Sequence, residues 1–265
     1  MAARPDEWAS GEDYQRYMGR WSRLVAVEFL RGLPPLPAAA WCDVGCGTGS
    51  LTQAILAGER PARVLGVDPS VGYLAAARVR AADERVEFEV GSAAAIPAAD
   101  REFDRVVSAL VLNFAPDPGA ALAEMARVAR PAGLIAAYVW DYAGGMDMIR
   151  LFWDAAIELD PAAAPLDEGR RFPLCRPEPL RELFASAGLT EVRVGQVSVD
   201  TVFADFEDFW RPFLGGQGPA PGYCTGLTED HRAALRETLR AVIPRTAAGA
   251  VALRARAWTV RGCRA

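Results

Sequence analysis

The sequence contains no lysine, since all 29 basic residues among its 265 residues are arginine. This absence excludes chemistry that depends on a lysine amine, such as a P-loop phosphate site, a Schiff base or a catalytic Tyr–Lys pair. Histidine is represented by His231 alone, and the five cysteines follow neither a disulfide framework nor a zinc-binding spacing. We therefore expect reduced thiols, a cytoplasmic protein and no metal site, with Cys42 and Cys46 packing as small residues.

Long apolar runs and an excess of positive charge are also missing. No run approaches the roughly 20 apolar residues of a membrane-spanning helix, and no apolar core follows the N-terminal acids Asp6 and Glu7, as a signal peptide would require. The net charge of −5 and the pI of about 5.1 argue against nucleic acid or an anionic membrane as partners. The 51% hydrophobic content indicates a globular chain with a full core.

Short apolar segments and amphipathic segments alternate between residues 40 and 140. The predicted strands are 40–44, 63–68, 86–90, 103–110 and 134–140, and the predicted helices between them include 50–57, 70–82 and 118–129. Such alternation predicts a mostly parallel sheet with helices on both faces, because right-handed crossovers place the helices there. Ligands bind to such sheets beyond the carboxyl ends of the strands.

The alternation is less regular outside this core. An amphipathic helix over 13–30 carries Tyr14, Tyr17 and Trp21, which either dock on the core or form a lid. After Trp140, the predicted helices are 146–159, 179–187, 203–213 and 228–243, with a Gly- and Pro-rich loop over 215–226. Two late strands, 191–202 and 251–260, are predicted to form an antiparallel edge of the sheet.

Three glycines at alternate positions follow the first predicted strand, in the sequence Asp43-Val44-Gly45-Cys46-Gly47-Thr48-Gly49. Glycines allow a ligand to approach the backbone closely. Asp68 ends the second predicted strand, where a carboxylate can accept both hydroxyls of a ribose. Asp43 would repel a pyrophosphate, whereas it suits an ammonium group. A plain structural turn and a dinucleotide site are the alternatives, although the dinucleotide spacing would place a glycine where Ser50 stands.

These motifs resemble class I S-adenosylmethionine-dependent methyltransferases, particularly the small-molecule group that includes quinone methyltransferases. Asp43–Gly49 resembles the family's first motif, and Gly66–Ser70 resembles its second. Two later segments also resemble the family: Ser108–Phe114 at the fourth strand and Glu124–Gly133 before the fifth. The resemblance implies a doubly wound α/β sheet of order 3-2-1-4-5-7-6 with one antiparallel strand. We expect one domain, with a core of about 36–140, 189–202 and 250–262 and an acceptor-side cap of 11–32, 141–187 and 203–248.

The resemblance also implies which residues hold the cofactor. Asp43, Gly45, Cys46 and Gly47 would hold its methionine part, and Asp68 its ribose. The remaining cofactor residues implied are Pro69, Tyr73, Ser92, Ala93 and Ala94 around the adenine and Leu110 near the methyl donor. The family often has Asp at the position of Ser92 and His at the position of Asn113. Because Asn cannot act as a base, Asn113 would position an acceptor without deprotonating it.

The implied function is methyl transfer from S-adenosylmethionine to a small apolar or aromatic acceptor by in-line displacement, with proximity and desolvation as the main catalytic effects. The product would be S-adenosylhomocysteine. Candidates for positioning the acceptor are Tyr17, Trp21, Asn113, Trp140 and Trp210, and further aromatic candidates are Trp153, Phe172 and Tyr223. We expect a monomer or a homodimer. A noncatalytic adenosyl-binding module and a nicotinamide-dependent oxidoreductase remain as alternatives.

Overall fold

The computed structural model describes residues 15–216 and 218–265. Tyr14 and the loose N-terminal segment predicted over 1–10 lie outside these residues. The strands are β1 Ala40–Val44, β2 Arg63–Asp68, β3 Val86–Val90, β4 Phe103–Ala109, β5 Ala129–Trp140, β6 Thr190–Phe203 and β7 Val251–Cys263.

Ten α-helices lie within the described residues. They are α1 Arg20–Arg31, α2 Ser50–Gly58, α3 Val71–Arg80, α4 Pro118–Val128, α5 Asp147–Leu159, α6 Glu168–Arg171, α7 Pro177–Ser186, α8 Phe206–Trp210, α9 Pro219–Gly226 and α10 Glu229–Val242. A π-helical turn over Gln15–Gly19 precedes α1, and short 3-10 segments occur at Leu112–Phe114, Pro161–Leu166 and Arg211–Gly215.

The seven strands form one sheet in the order β3-β2-β1-β4-β5-β7-β6. Strands β1 to β5 pair in parallel, and β7 runs antiparallel to β5 from the pair Leu134–Cys263 to the pair Trp140–Ala257. The predicted doubly wound α/β fold, with its strand order, is confirmed. All five residues of β1 are buried, as expected for a central parallel strand that is covered on both faces.

Local sequence signals account for several helix starts. The Ser70 side chain accepts a hydrogen bond from Tyr73 N at 3.2 Å, and the Asp117 side chain accepts one from Ala120 N at 2.9 Å. Each therefore caps a helix by satisfying one of the N–H groups that a first turn leaves unpaired. Pro118 follows Asp117 at the first helical position, where its missing N–H costs nothing.

Residues 215–226 differ from the prediction. A loop was expected from their glycines and prolines, but Pro219–Gly226 forms helix α9. Pro219 and Pro221 lie in its first turn, where proline is compatible with a helix. The side chains of Ala220 and Cys224 are fully buried, so tertiary packing outweighs the weak helix propensity of this segment.

The chain divides into two compact units. The sheet unit comprises Ser22–Trp140, Leu174–Val197 and Ala257–Ala265. The aromatic unit comprises the described part of Met1–Trp21, together with Asp141–Pro173 and Ser198–Arg256.

Two segments that the sequence assigned to the cap belong to the sheet unit. They are residues 22–31 and residues 174–187. The first segment packs on the sheet through Phe29, because the Phe29 ring lies 4.8 Å from the ring of Tyr138 in β5. In the second segment, Leu180 and Phe184 on α7 are completely buried. Both helices thus contribute apolar side chains to the core of the sheet unit.

No helix within the described residues is both long enough and apolar enough to cross a membrane.

Candidate functional site

The predicted cofactor residues lie where four parallel strands of the sheet unit end. Asp43 is the last residue but one of β1, Asp68 ends β2, Ser92 follows β3, and Leu110 follows β4. Because these strands are parallel, their carboxyl ends share one edge of the sheet. Ser108 Oγ also donates to Val44 O at 2.9 Å, which ties the ends of β1 and β4 together.

The glycine turn between β1 and α2 requires glycine at specific positions. Gly45 and Gly47 have φ angles of +73° and +53°, which other residues adopt only with strain. A Cβ on Gly45 would collide with Val111 Cγ2, whereas a Cβ on Gly47 would meet no atom of the described residues within 4 Å. The first glycine is therefore required by packing, and the second faces open space next to the turn.

Backbone N–H groups of this turn are bonded within the protein. Gly45 N and Cys46 N both donate to Val67 O, at 2.7 and 3.0 Å, and Gly49 N donates to Cys46 O at 2.8 Å. Gly47 N donates to Asp68 Oδ2 at 3.0 Å. These four donors are therefore already engaged, which differs from a phosphate-binding loop, where such groups point at the anion.

Asp43 is completely buried next to this turn. Its Oδ2 accepts a hydrogen bond from Thr52 Oγ1 at 2.7 Å, and its Oδ1 has no hydrogen-bond partner among the described residues. Burial raises the pKa of Asp43 to about 7, the hydrogen bond from Thr52 opposes this shift, and the charge of Asp68 adds to it. An unpaired buried carboxylate oxygen is costly unless a donor reaches it, so Asp43 fits a ligand that supplies an N–H.

Asp68 connects the glycine turn to helix α3. Its Oδ1 accepts from Ser70 N at 2.8 Å and its Oδ2 accepts from Gly47 N. Burial raises the pKa of this carboxyl, and the two backbone hydrogen bonds oppose the rise. A carboxylate has about four lone-pair sites, so each oxygen keeps capacity for one further donor such as a hydroxyl.

The residues implied for the adenine lie on the next two strand ends. Pro69 is exposed and Tyr73 is half-buried in the first turn of α3. Residues Ser92 to Ala94 form a tight turn in which Ser92 and Ala95 exchange backbone hydrogen bonds of 3.3 and 3.0 Å. Gly91 N donates to Asp68 O at 3.3 Å, so this turn is held against the end of β2.

The segment after β4 contains two unusual residues. Leu110 adopts a φ of +62°, a strained conformation for a leucine, and its N donates to Tyr138 O at 2.8 Å. Asn113 lies in the 3-10 turn Leu112–Phe114, and its Nδ2 is buried without a partner among the described residues. Strained backbone is concentrated at functional sites, which is consistent with the position of Leu110 at this edge of the sheet.

Cys46 has a packing role in addition to its place in the turn. Its side chain belongs to a buried cluster with Leu74, Ala77, Ala81 and Phe88. Burial is the main cause that raises the pKa values of both Cys42 and Cys46. Within residues 15–216 and 218–265, no group of three or more His, Cys, Asp and Glu side chains is arranged to hold a metal ion.

A comparison with protein families identifies the segment that contains these strand ends. Residues 42–137 match a family model described as a methyltransferase domain. Residues 42–137 are therefore similar to a methyltransferase domain. The predicted resemblance to this family is confirmed, and the glycine turn, Asp68 and the segment after β4 all lie inside the matched residues.

Relatives of the methyltransferase domain share about a third of its residues. An uncharacterized protein of Mycobacterium tuberculosis is 34% identical over 131 residues, which cover 46% of this chain and 47% of that protein. A demethylmenaquinone methyltransferase of Renibacterium salmoninarum is 34% identical over 114 residues, which cover 43% of this chain and 45% of that enzyme. The chain thus spans about half the length of the curated relatives it matches.

A solved structure extends the likeness in fold beyond the methyltransferase domain. Phosphoethanolamine N-methyltransferase 2 of Haemonchus contortus, in complex with S-adenosyl-L-methionine, aligns with a TM-score of 0.58. The alignment covers 96% of this chain and 56% of that enzyme at 16% identity. At this identity the likeness establishes the fold alone.

The predicted acceptor residues are divided between the two units. Asn113 and the buried Trp140 at the end of β5 belong to the sheet unit. In the aromatic unit, Tyr17 and Trp210 both contact Phe213, each with a ring-centroid distance of 6.0 Å, and Trp21 lies edge-on to Phe203 at 5.3 Å. His231 is exposed in the first turn of α10.

Two residues that contribute to the chemistry of these units were missed in the sequence. Thr52 carries no motif signal of its own, although it lies nine residues after Asp43 on the buried face of α2. Glu168 lies in a Pro- and Arg-rich stretch without a recognisable motif, yet it is 1% exposed. Burial raises the pKa of Glu168 to about 7. Only the tertiary structure shows that these two polar side chains are internal.

We expect Asp43 to make the sheet unit less stable as the pH rises from about 4 to about 7. The pKa of Asp43 in the folded protein is about 7 against 3.8 for the ordinary group, so the folded state binds its proton more tightly. The protonated Asp43 contributes its full stabilisation below the pKa that it has in the unfolded chain. This contribution, up to about 4 kcal/mol of the free energy of unfolding, is lost as the pH rises through the pKa of the folded protein.

Urea unfolding at several pH values measures this effect. Asp43→Asn should show a smaller loss of stability over the same range, whereas Glu89→Gln, a change at an exposed position on β3, should behave like the wild type. An unchanged pH dependence in Asp43→Asn would contradict the assignment of this titration to Asp43.

Proposed function

We propose that this protein transfers a methyl group from S-adenosylmethionine to a small apolar or aromatic acceptor. One observation carries the proposal: open space at Gly47 is flanked by two buried carboxylates, and Asp43 Oδ1 has no partner among the described residues. A ligand with both an ammonium group and a ribose provides donors for Asp43 and Asp68. The family match and the methyltransferase names of the relatives support S-adenosylmethionine as this ligand.

The residues at the strand ends fit the parts of this cofactor. Asp43 would accept from the ammonium group, directly or through a water, and Asp68 would accept from the ribose hydroxyls. Pro69 and Tyr73 would flank the adenine, and the backbone of residues 92–94 would follow its edge. A pyrophosphate fits poorly, because both carboxylates are acceptors and the N–H groups of Gly45, Cys46, Gly47 and Gly49 are already bonded.

The protein's contribution to the reaction would be mainly geometric. S-adenosylmethionine supplies a methyl group on a positively charged sulfur, which an acceptor displaces in line. Leu110 would pack near this methyl group, and Asn113 Nδ2 would donate a hydrogen bond that orients the acceptor. Alignment of two reactants can lower a barrier by up to about 7–11 kcal/mol, so no side chain has to act as a nucleophile.

Calorimetry with S-adenosylhomocysteine and with NADH tests the cofactor assignment. We expect binding of S-adenosylhomocysteine and none of NADH, because the turn presents carboxylates and few free N–H groups. Binding of NADH alone would favour an oxidoreductase and overturn the proposal.

Transfer from methyl-labelled S-adenosylmethionine to a panel of phenols, quinols and arylamines tests the reaction itself. We expect label in at least one aromatic acceptor and matching formation of S-adenosylhomocysteine. Cofactor binding without turnover over the whole panel would instead indicate a noncatalytic adenosyl-binding module.

A further inference from the structure

Glu168 carries a carboxylate into the interior of the aromatic unit. Its Oε2 accepts a hydrogen bond from Trp153 Nε1, and its Oε1 accepts one from Ala220 N at 3.3 Å. The Trp153 ring lies 5.3 Å from the Phe152 ring and 5.4 Å from the Tyr223 ring. The carboxylate thus contacts Trp153, whose ring belongs to an aromatic cluster, and it is held by two neutral N–H donors.

The residue next to Glu168 is paired with an arginine. Arg150 forms a two-pronged ion pair with Asp167, with Nη1–Oδ2 and Nη2–Oδ1 distances of 2.9 and 2.7 Å. Asp167 Oδ1 also accepts from Gly169 N at 2.8 Å. Among the described residues, no ion pair involves Glu168. The ion pair and the hydrogen bond of Asp167 therefore hold the backbone on both sides of Glu168, whose buried carboxylate has no ion-pair partner among the described residues.

The aromatic unit also contains a buried hydroxyl group, that of Tyr17. Tyr17 is 3% exposed, and its hydroxyl forms no hydrogen bond with the described residues. Burial raises the pKa of Tyr17, and the charge of Glu168 raises it further. More than about nine-tenths of buried polar groups in native proteins are hydrogen-bonded, so the Tyr17 hydroxyl fits a ligand that supplies a hydrogen-bond donor or acceptor.

We propose that Glu168, Tyr17 and the rings of Trp153 and Tyr223 bind an amine-bearing aromatic molecule whose ammonium group supplies the missing positive charge. A carboxylate and an ammonium form a charge-assisted hydrogen bond, and aromatic faces attract a cation further. The Tyr17 hydroxyl accepts or donates one more hydrogen bond. The identification of this molecule as the methyl acceptor rests on the proposed function. Its binding to the aromatic unit does not depend on that function.

The affinity for such an amine should depend on pH. The charged and titratable groups around Glu168 are Asp167, Arg150 and Tyr17, while Asp160 and Cys224 act on Tyr223. Because the pKa of Glu168 is raised to about 7 by burial, its ionised fraction grows about tenfold between about pH 6 and about pH 8. An ammonium ligand binds the ionised form, so its affinity should rise by about the same factor.

Benzylamine and benzyl alcohol are matched probes for this site, since they differ in the charge of one substituent and benzylamine stays protonated over this range. Binding to the full chain would be followed by tryptophan fluorescence at about pH 8. We expect benzylamine to bind at least about tenfold more tightly than benzyl alcohol. Glu168→Gln should remove this preference, and Glu158→Gln, which changes an exposed carboxylate on α5, should keep it.

Equal affinity for the two probes, or no binding of either one, would overturn the proposal and leave Glu168 as a structural carboxyl that holds α9 through Ala220. If Glu168→Gln does not fold, the affinity of the wild-type protein for benzylamine is measured as a function of pH. An affinity that does not change across neutral pH contradicts the proposal. S-adenosylhomocysteine is titrated in the same samples. Its failure to bind would refute the proposed function, whereas the result with benzylamine stands independently.

Discussion

Asp68→Ala should lower the affinity for S-adenosylhomocysteine by at least about 100-fold, since hydrogen bonds to a charged group contribute about 1.5–3 kcal/mol each and two ribose hydroxyls would lose their acceptor. The substitution also removes the acceptor of Gly47 N and Ser70 N, which loosens the turn and adds to the loss. Isothermal titration calorimetry measures the affinity, and thermal unfolding shows how much of the fold is retained.

Two further variants make this experiment specific. Glu89→Gln removes an exposed carboxylate from the neighbouring strand β3, where Glu89 is in register with Val67, and should leave the affinity unchanged. Asp68→Asn keeps the side-chain shape and one acceptor oxygen, so an intermediate affinity is expected. If the affinity of Asp68→Ala falls by less than several-fold while the protein remains folded, Asp68 does not hold the ribose.

Gly47→Ala should separate cofactor binding from stability. Gly47 has a φ of +53°, and a Cβ there would meet no atom of the described residues within 4 Å. The added methyl group therefore costs only the backbone strain of an alanine in the left-handed region, about 1–2 kcal/mol. It would occupy the open space proposed for the methionine part of the cofactor, so the affinity for S-adenosylhomocysteine should fall by at least about tenfold.

Gly188→Ala is the matched control within the sheet unit. Gly188 has a φ of +73° and also has no atom within 4 Å of a Cβ, but it follows helix α7, away from the four strand ends in sequence. Both variants should show a similar decrease in melting temperature, and only Gly47→Ala should bind the cofactor poorly. Equal affinities in the two variants would place the cofactor elsewhere.

Much of the sheet unit follows from local patterns in the sequence. The apolar runs of β1 and β2 predict buried strands, and the capping residues Ser70 and Asp117 mark helix starts that the structure contains. These features are predictable because each depends on residues a few positions apart. The glycine turn and Asp68 are recognisable for the same reason, since strand, turn and helix follow one another within a short stretch of chain.

Burial and partner choice were decided only in three dimensions. The free Oδ1 of Asp43, the engaged N–H groups of the glycine turn and the internal position of Glu168 depend on groups far apart in sequence, such as Ala220 for Glu168. Helix α9 forms against its local propensity because Ala220 and Cys224 are buried. The sequence by itself thus determined the succession of strands along the chain and the location of the glycine turn, since both arise from short-range patterns, whereas the order of the strands in the sheet was implied by the family resemblance. The tertiary structure decided which carboxylates are desolvated, because desolvation depends on every segment that packs around a group.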